Sequence, residues 1–173
     1  YQMVFLVAGG IGVTPCGSVA KSIIHAAEQG QRKLKNMHFV WVVRDMDLVE
    51  SMGPPVMDEL TSSKLSVGMG NEPQSDDSKP VVNTSIYVTK SSSINTSGYG
   101  NGVRFVKGRP DLYRMVADMK ASAHQANVTH VAVFGCGPKS LLDDLKDACR
   151  QHGQNTPGCQ GVSFDVHEEI FHF

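Results

Sequence analysis

Two glycine-rich segments, each preceded by an apolar run, hold the residues best suited to chemistry. They are Ala8-Gly9-Gly10-Ile11-Gly12-Val13-Thr14-Pro15 and Phe134-Gly135-Cys136-Gly137-Pro138. The pyrophosphate of a dinucleotide needs backbone N–H donors at a helix start and no Cβ in the way. Gly10 and Gly12 allow the close approach, and the helix start adds partial positive charge. Pro15 stands where the usual dinucleotide fingerprint has its third glycine, so that fingerprint is not matched. Each segment alone also reads as a tight turn. Two such turns at corresponding strand ends imply one ligand lying across a sheet.

Two arginines bear on which dinucleotide. Arg44 ends the apolar run His38–Val43, where an acidic residue would bind a ribose 2′-hydroxyl and an arginine suits a 2′-phosphate. The competing reading is a solvated Arg44–Asp45 surface pair. Arg109, in Gly108-Arg109-Pro110, is a second candidate for the same phosphate. Its place just before a helix is otherwise slightly disfavoured by the helix dipole. Cys136 can set a polarizable sulfur against a planar ring, or simply fill a tight turn. An aromatic near the C-terminus, Phe171 or Phe173, either packs on the core or stacks on a flat cofactor.

The elements that must position these residues follow from periodicity. Apolar runs at Met3–Ala8, His38–Val43 and His130–Phe134 read as strands buried on both faces, with further strands near Ser85–Thr89, Val103–Lys107 and Val162–His167. Helices are expected over Thr14–Gln29, with Thr14 as cap and Pro15 first, over Asp47–Ser62, over Pro110–Gln125, and from Pro138 to His152. Gly53-Pro54-Pro55 should break or kink the second of these. Alternation of strands and helices predicts one α/β domain over residues 1–173, a doubly wound, five-to-six-stranded parallel sheet with helices on both faces. Residues 66–80 and 91–102, rich in Ser, Asn, Gly, Asp and Pro, are expected to be flexible loops.

Composition excludes several classes. A formal charge of −1 without a basic block argues against a nucleic-acid face or an electrostatic membrane anchor. The four cysteines form no C-x-x-C pair, the seven histidines show no metal spacing, and no hydrolytic motif is present, so no metal is expected. The apolar stretch from Met3 to Cys16 is shorter than the ~20 residues that span a bilayer. Opening on Tyr1 directly into a strand pattern reads as a piece of a longer polypeptide.

Taken in order, the two glycine segments, Trp41-Val42-Val43-Arg44-Asp45, Gly108-Arg109-Pro110-Asp111-Leu112 and His167-Glu168-Glu169-Ile170-Phe171 resemble the C-terminal NADPH-binding domain of the NADPH oxidase and ferric reductase superfamily. That domain is Rossmann-like and related to the pyridine-nucleotide half of ferredoxin–NADP reductases. The resemblance implies that Gly10, Gly12, Thr14 and Pro15 hold the pyrophosphate, and that Arg44 and Arg109 select the 2′-phosphate. It further implies that Cys136, Gly137 and Pro138 border the nicotinamide, that Phe171 or Phe173 covers a flavin, and that Glu169 is the nearby carboxylate. The chain continues past Phe171, whereas many relatives end on the aromatic. The implied cofactors are NADPH, FAD shared with a neighbouring barrel, and haem in transmembrane helices. Neither the barrel's motif nor such helices occur here. The implied whole is an oxidoreductase at the cytosolic face of a membrane that makes superoxide, or else reduces ferric chelates. Regulatory proteins are further implied partners. A non-catalytic docking domain with a degenerate nucleotide site is the rival from another class.

Overall fold

The computed structural model describes residues 1–62, 66–67, 80–90, 94, 102–153 and 161–170. Its strands are β1 (Met3–Gly9), β2 (Asn36–Val43), β3 (Ser66–Val67), β4 (Val81–Val88), β5 (Val103–Lys107), β6 (His130–Gly137) and β7 (Ser163–Ile170). Its helices are α1 (Val13–Glu28), α2 (Met46–Ser62), α3 (Leu112–Gln125) and α4 (Lys139–His152). All strand pairs are parallel, in the order β3-β4-β2-β1-β6-β7. β5 also pairs with β4, so β3 and β5 meet that strand at successive stretches, Val81–Val82 and Thr84–Val88. The expected sheet is present, with a two-residue strand inside a segment read as loop.

Central strands are apolar because both faces are covered. Every residue of β1 is buried, as a parallel strand between two helical layers requires. On one face, Leu6, Ala8, Phe39 and Trp41 pack with Val13, Cys16 and Ala20 of α1 and Val49 and Met57 of α2. On the other, Phe5, Val7 and Val133 pack with Val116 and Met119 of α3 and Leu145 and Ala148 of α4. Transferring one such large apolar side chain from water to this interior contributes about 1.5–3 kcal/mol.

Three local expectations change. α1 begins at Val13 with Gly12 as its cap and no capping side chain, so Thr14 is not the cap and Pro15 is the third helical residue. A proline there still forfeits no intrahelical bond, because the first turn's N–H groups have no carbonyl to reach. α2 runs unbroken through Pro54 and Pro55. The two carbonyls that lose their donors belong to Glu50 and Ser51, both exposed residues. Finally, Ile94, within the second supposed loop, packs against the core beneath α1 and α2. Most of both segments, 68–79 and 95–101 included, lies outside the described residues, as do Phe171 and Phe173.

Candidate functional site

A parallel sheet brings every strand's carboxyl end to one edge, and that edge collects the candidate residues. Gly10–Gly12 follows β1 as a single 3₁₀ turn, Arg44 follows β2, Arg109 lies two residues beyond β5, Gly137 ends β6 and Glu169 is near the end of β7. From β1 the chain winds outward through β2, β4 and β5, then returns to place β6 on β1's other side. The reversal of winding lies between β1 and β6, where doubly wound sheets open a ligand crevice.

Backbone touches backbone across that crevice. A Cβ on Gly12 would stand 2.1 Å from the Cys136 carbonyl oxygen, and one on Gly137 would stand 2.9 Å from the Cα and N of Gly9. Real side chains do not fit at such distances, so both positions exclude anything but hydrogen. The two glycine corners therefore pack directly against each other's segments. Gly10, in contrast, has open space around it and a φ of +56°, a left-handed conformation that favours glycine. Ile11 between them is exposed at 41 %, so the turn stands clear of the core at the crevice mouth.

Trp41 holds this turn in place. Its indole Nε1 donates a 2.8 Å hydrogen bond to the Gly10 carbonyl oxygen, which also accepts from the Val13 N–H. The ring itself is wholly buried between β2 and the α1–α2 layer. The Gly10 carbonyl is thus held from the core side by the indole. Trp41 is a functional residue that periodicity alone does not single out. The signal for it is the chain's single Trp within a strand pattern, since a buried indole N–H needs an acceptor.

Among the site residues, Thr14 is exposed at the start of α1 and Pro15 half-buried beside it. Arg44 is exposed and, among the described residues, forms no ion pair with Asp45 or any other carboxylate. Its strand tip is anchored, because the Arg44 carbonyl accepts from Lys90 N at 2.8 Å and the Val43 carbonyl accepts from both N and Oγ1 of Thr89. Arg109 is exposed too and lines a cavity beside α3 that Arg44 does not reach. β4 lies between their strands, which sets the tips roughly 10 Å apart. Two long guanidinium side chains can span that gap onto one phosphate.

Cys136 has no exposed surface and packs with the core beneath α1 and α2. Burial, then the Glu169 carboxylate on the paired β7 position, pushes the thiol up to about 11. Cys16, whose Sγ lies 3.6 Å from the Val7 carbonyl oxygen, is raised by burial and then by Cys136. Both the carbonyl and the Cβ of Cys136 lie against Gly12. Glu169 itself is exposed, whereas its neighbour Glu168 is engaged with Lys146 at 3.1 Å. Pro138 caps α4, its carbonyl accepting from Leu141 N at 3.0 Å. Phe171 and Phe173 lie outside the described residues. No group of three His, Cys, Asp or Glu among the described residues can hold a metal, and no helix there is long and apolar enough to cross a membrane.

A doubly wound sheet with a glycine cradle at its reversal point defines a nucleotide-binding domain. Residues 1–150 match the family described as "Ferric reductase NAD binding domain", and the chain belongs to that family. It is 26 % identical to human NADPH oxidase 3 over 180 aligned positions, which cover 99 % of this chain and 30 % of that protein. Against mouse NADPH oxidase 1 the identity is 28 %, covering 99 % of this chain and 29 % of the relative. Rat dual oxidase 2 is 25 % identical over 87 % of this chain and 10 % of its own length. The chain thus spans less than a third of the curated relatives it matches.

Proposed function

We propose that this domain binds NADPH and presents it to FAD held by a neighbouring domain of the same polypeptide, within a membrane NADPH oxidase that makes superoxide. One observation carries the reading: at the β1–β6 reversal Gly12 packs on the Cys136 carbonyl and Gly137 on the Gly9 backbone, so closely that neither position has room for a Cβ. The nucleotide fits what is there. The Gly10–Gly12 turn and the start of α1 offer N–H donors and a partial positive charge to the pyrophosphate, and Thr14 adds a hydroxyl. Arg44 and Arg109 supply charge-assisted bonds to the 2′-phosphate, which NADH lacks. Cys136, Gly137 and Pro138 border the nicotinamide, with Glu169 at the same rim. Phe171 or Phe173 is proposed to cover the flavin. When bound, the nicotinamide supplies the hydride; the chain's own residues bind it, orient it and keep water away. The oxidase outcome is preferred to ferric reduction because the relatives above bear the oxidase name. Haem in membrane helices and a cytosolic face belong to that same reading.

Calorimetric titration of this chain with NADPH and NADH tests it. Wild type should prefer NADPH, and the Arg44→Ala/Arg109→Ala double variant should lose that preference. Each lost charge-assisted bond contributes about 1.5–3 kcal/mol, or roughly 10- to 100-fold in affinity. A double variant that still discriminates overturns the phosphate assignment. Absence of thermal protection by either nucleotide supports the docking-domain alternative, since ligand at 100 times its Kd should add about 2.7 kcal/mol.

A further inference from the structure

A second concave site lies away from the glycine cradle. α3 crosses back from β5 to β6 and, with α4, covers β1, β6 and the central strands, which leaves the same face of β4, β5 and the start of β2 open beside α3. The result is a cavity of about 810 Å³, within the size range of small-molecule sites. Its floor is polar where a covered parallel strand would be apolar: Asn36 and His38 on β2, Ser85 on β4. Ser85 is only 7 % exposed, and its Oγ lies 3.4 Å from His38 Nε2. Asn36 Oδ1 is buried with no hydrogen-bond partner.

Three arginines line the same cavity: Arg104 from β5, Arg109 beyond it and Arg114 from α3. Among the described residues none of them is ion-paired. Two carboxylates share the lining, Asp111 and Asp118, but Asp111 is engaged as the cap of α3, accepting from the Arg114 N–H at 2.9 Å. Arg104 pairs in register with Ser85, three residues and roughly 10 Å before the strand tip that carries the nucleotide edge. Exposed guanidinium groups that line a polar cavity, with no ion pair among the described residues, suit the oxygens of a phosphate.

We propose that this groove is a second anion site, which takes a phosphate-bearing small molecule on Arg104 and Arg114 above the His38–Ser85 floor, separate from the dinucleotide cradle. Arg109 stands at the rim between the two. The test is a pyrophosphate titration of histidine-labelled chain, followed by NMR at constant ionic strength, with and without saturating NADPH. The His38 imidazole signals should shift saturably in both series. Affinity should fall at least about tenfold in Arg104→Ala and in Arg114→Ala, and stay unchanged in Arg150→Ala, which removes a cation from the far end of α4. An equal shift with chloride at matched ionic strength overturns the proposal. So does unaltered binding by Arg104→Ala, or displacement of pyrophosphate by NADPH, which would make the groove part of the nucleotide site. NADPH binding is read separately by calorimetry, so failure of either site leaves the other measurable.

Discussion

Replacing Gly12 with alanine puts a methyl group where the Cys136 carbonyl already is. The added carbon would lie 2.1 Å from that oxygen and 2.7 Å from its carbonyl carbon, whereas ordinary contact begins at 3.4 Å. The two glycine corners must therefore part by roughly 1.3 Å, the difference between 3.4 and 2.1. No flexible side chain can give way, because the obstacle is the backbone of β6, itself hydrogen-bonded to β1 and β7. Overpacking of this kind costs about 1–3 kcal/mol. Parting the corners also pulls at least one backbone donor out of reach of a bound pyrophosphate. A hydrogen bond to a charged group contributes about 1.5–3 kcal/mol, so NADPH affinity should fall at least about tenfold. Gly10→Ala is the matched comparison. It meets nothing within 4 Å and pays only for a left-handed φ of +56°, about 1–2 kcal/mol. Urea unfolding and calorimetric NADPH titration of both variants separate the two effects. Gly12→Ala should lose more affinity per unit of lost stability than Gly10→Ala. Wild-type stability and affinity in Gly12→Ala would refute the shared-cradle geometry.

Trp41→Phe should lower stability by about 1–3 kcal/mol, because it strips the indole donor from the Gly10 carbonyl, and should weaken NADPH binding as the turn loosens. Urea midpoints and calorimetry check both, and unchanged binding would mean the turn holds its shape without the indole. His38 makes a signed pH prediction. Burial, with Arg104 second, lowers its pKa from 6.5 to about 4, so between those values the unfolded chain binds a proton that the folded chain resists. Stability should thus fall as pH drops through that window, by roughly 3 kcal/mol in total. In His38→Gln this part of the slope should vanish, and identical slopes in urea unfolding would count against it.

β1 and β5 could be read nearly to the residue, and the first because it is apolar throughout. β4 was placed four residues late because Asn83, Thr84 and Ser85 dilute its pattern. Asn83 and Ser85 are polar there because they line the open groove rather than a helix-covered face. Glycines and strand ends gave the cradle, since a sheet that is parallel throughout must gather its carboxyl ends on one edge. Periodicity gave no access to contacts between distant positions. The Trp41–Gly10 bond joins residues 31 apart, and the burial of Cys136 depends on which face of β6 packs against α1. In each case the residue was legible and its orientation was not.

Trp41 is the chain's only tryptophan, so emission excited beyond the tyrosine band comes from a single indole whose N–H rests on the carbonyl of the Gly10–Gly12 turn. Reduced nicotinamide absorbs where indole emits, whereas the oxidised ring does not. A ligand seated on that turn would accordingly quench the fluorophore according to its redox state, which gives the domain an intrinsic optical gauge without any added dye.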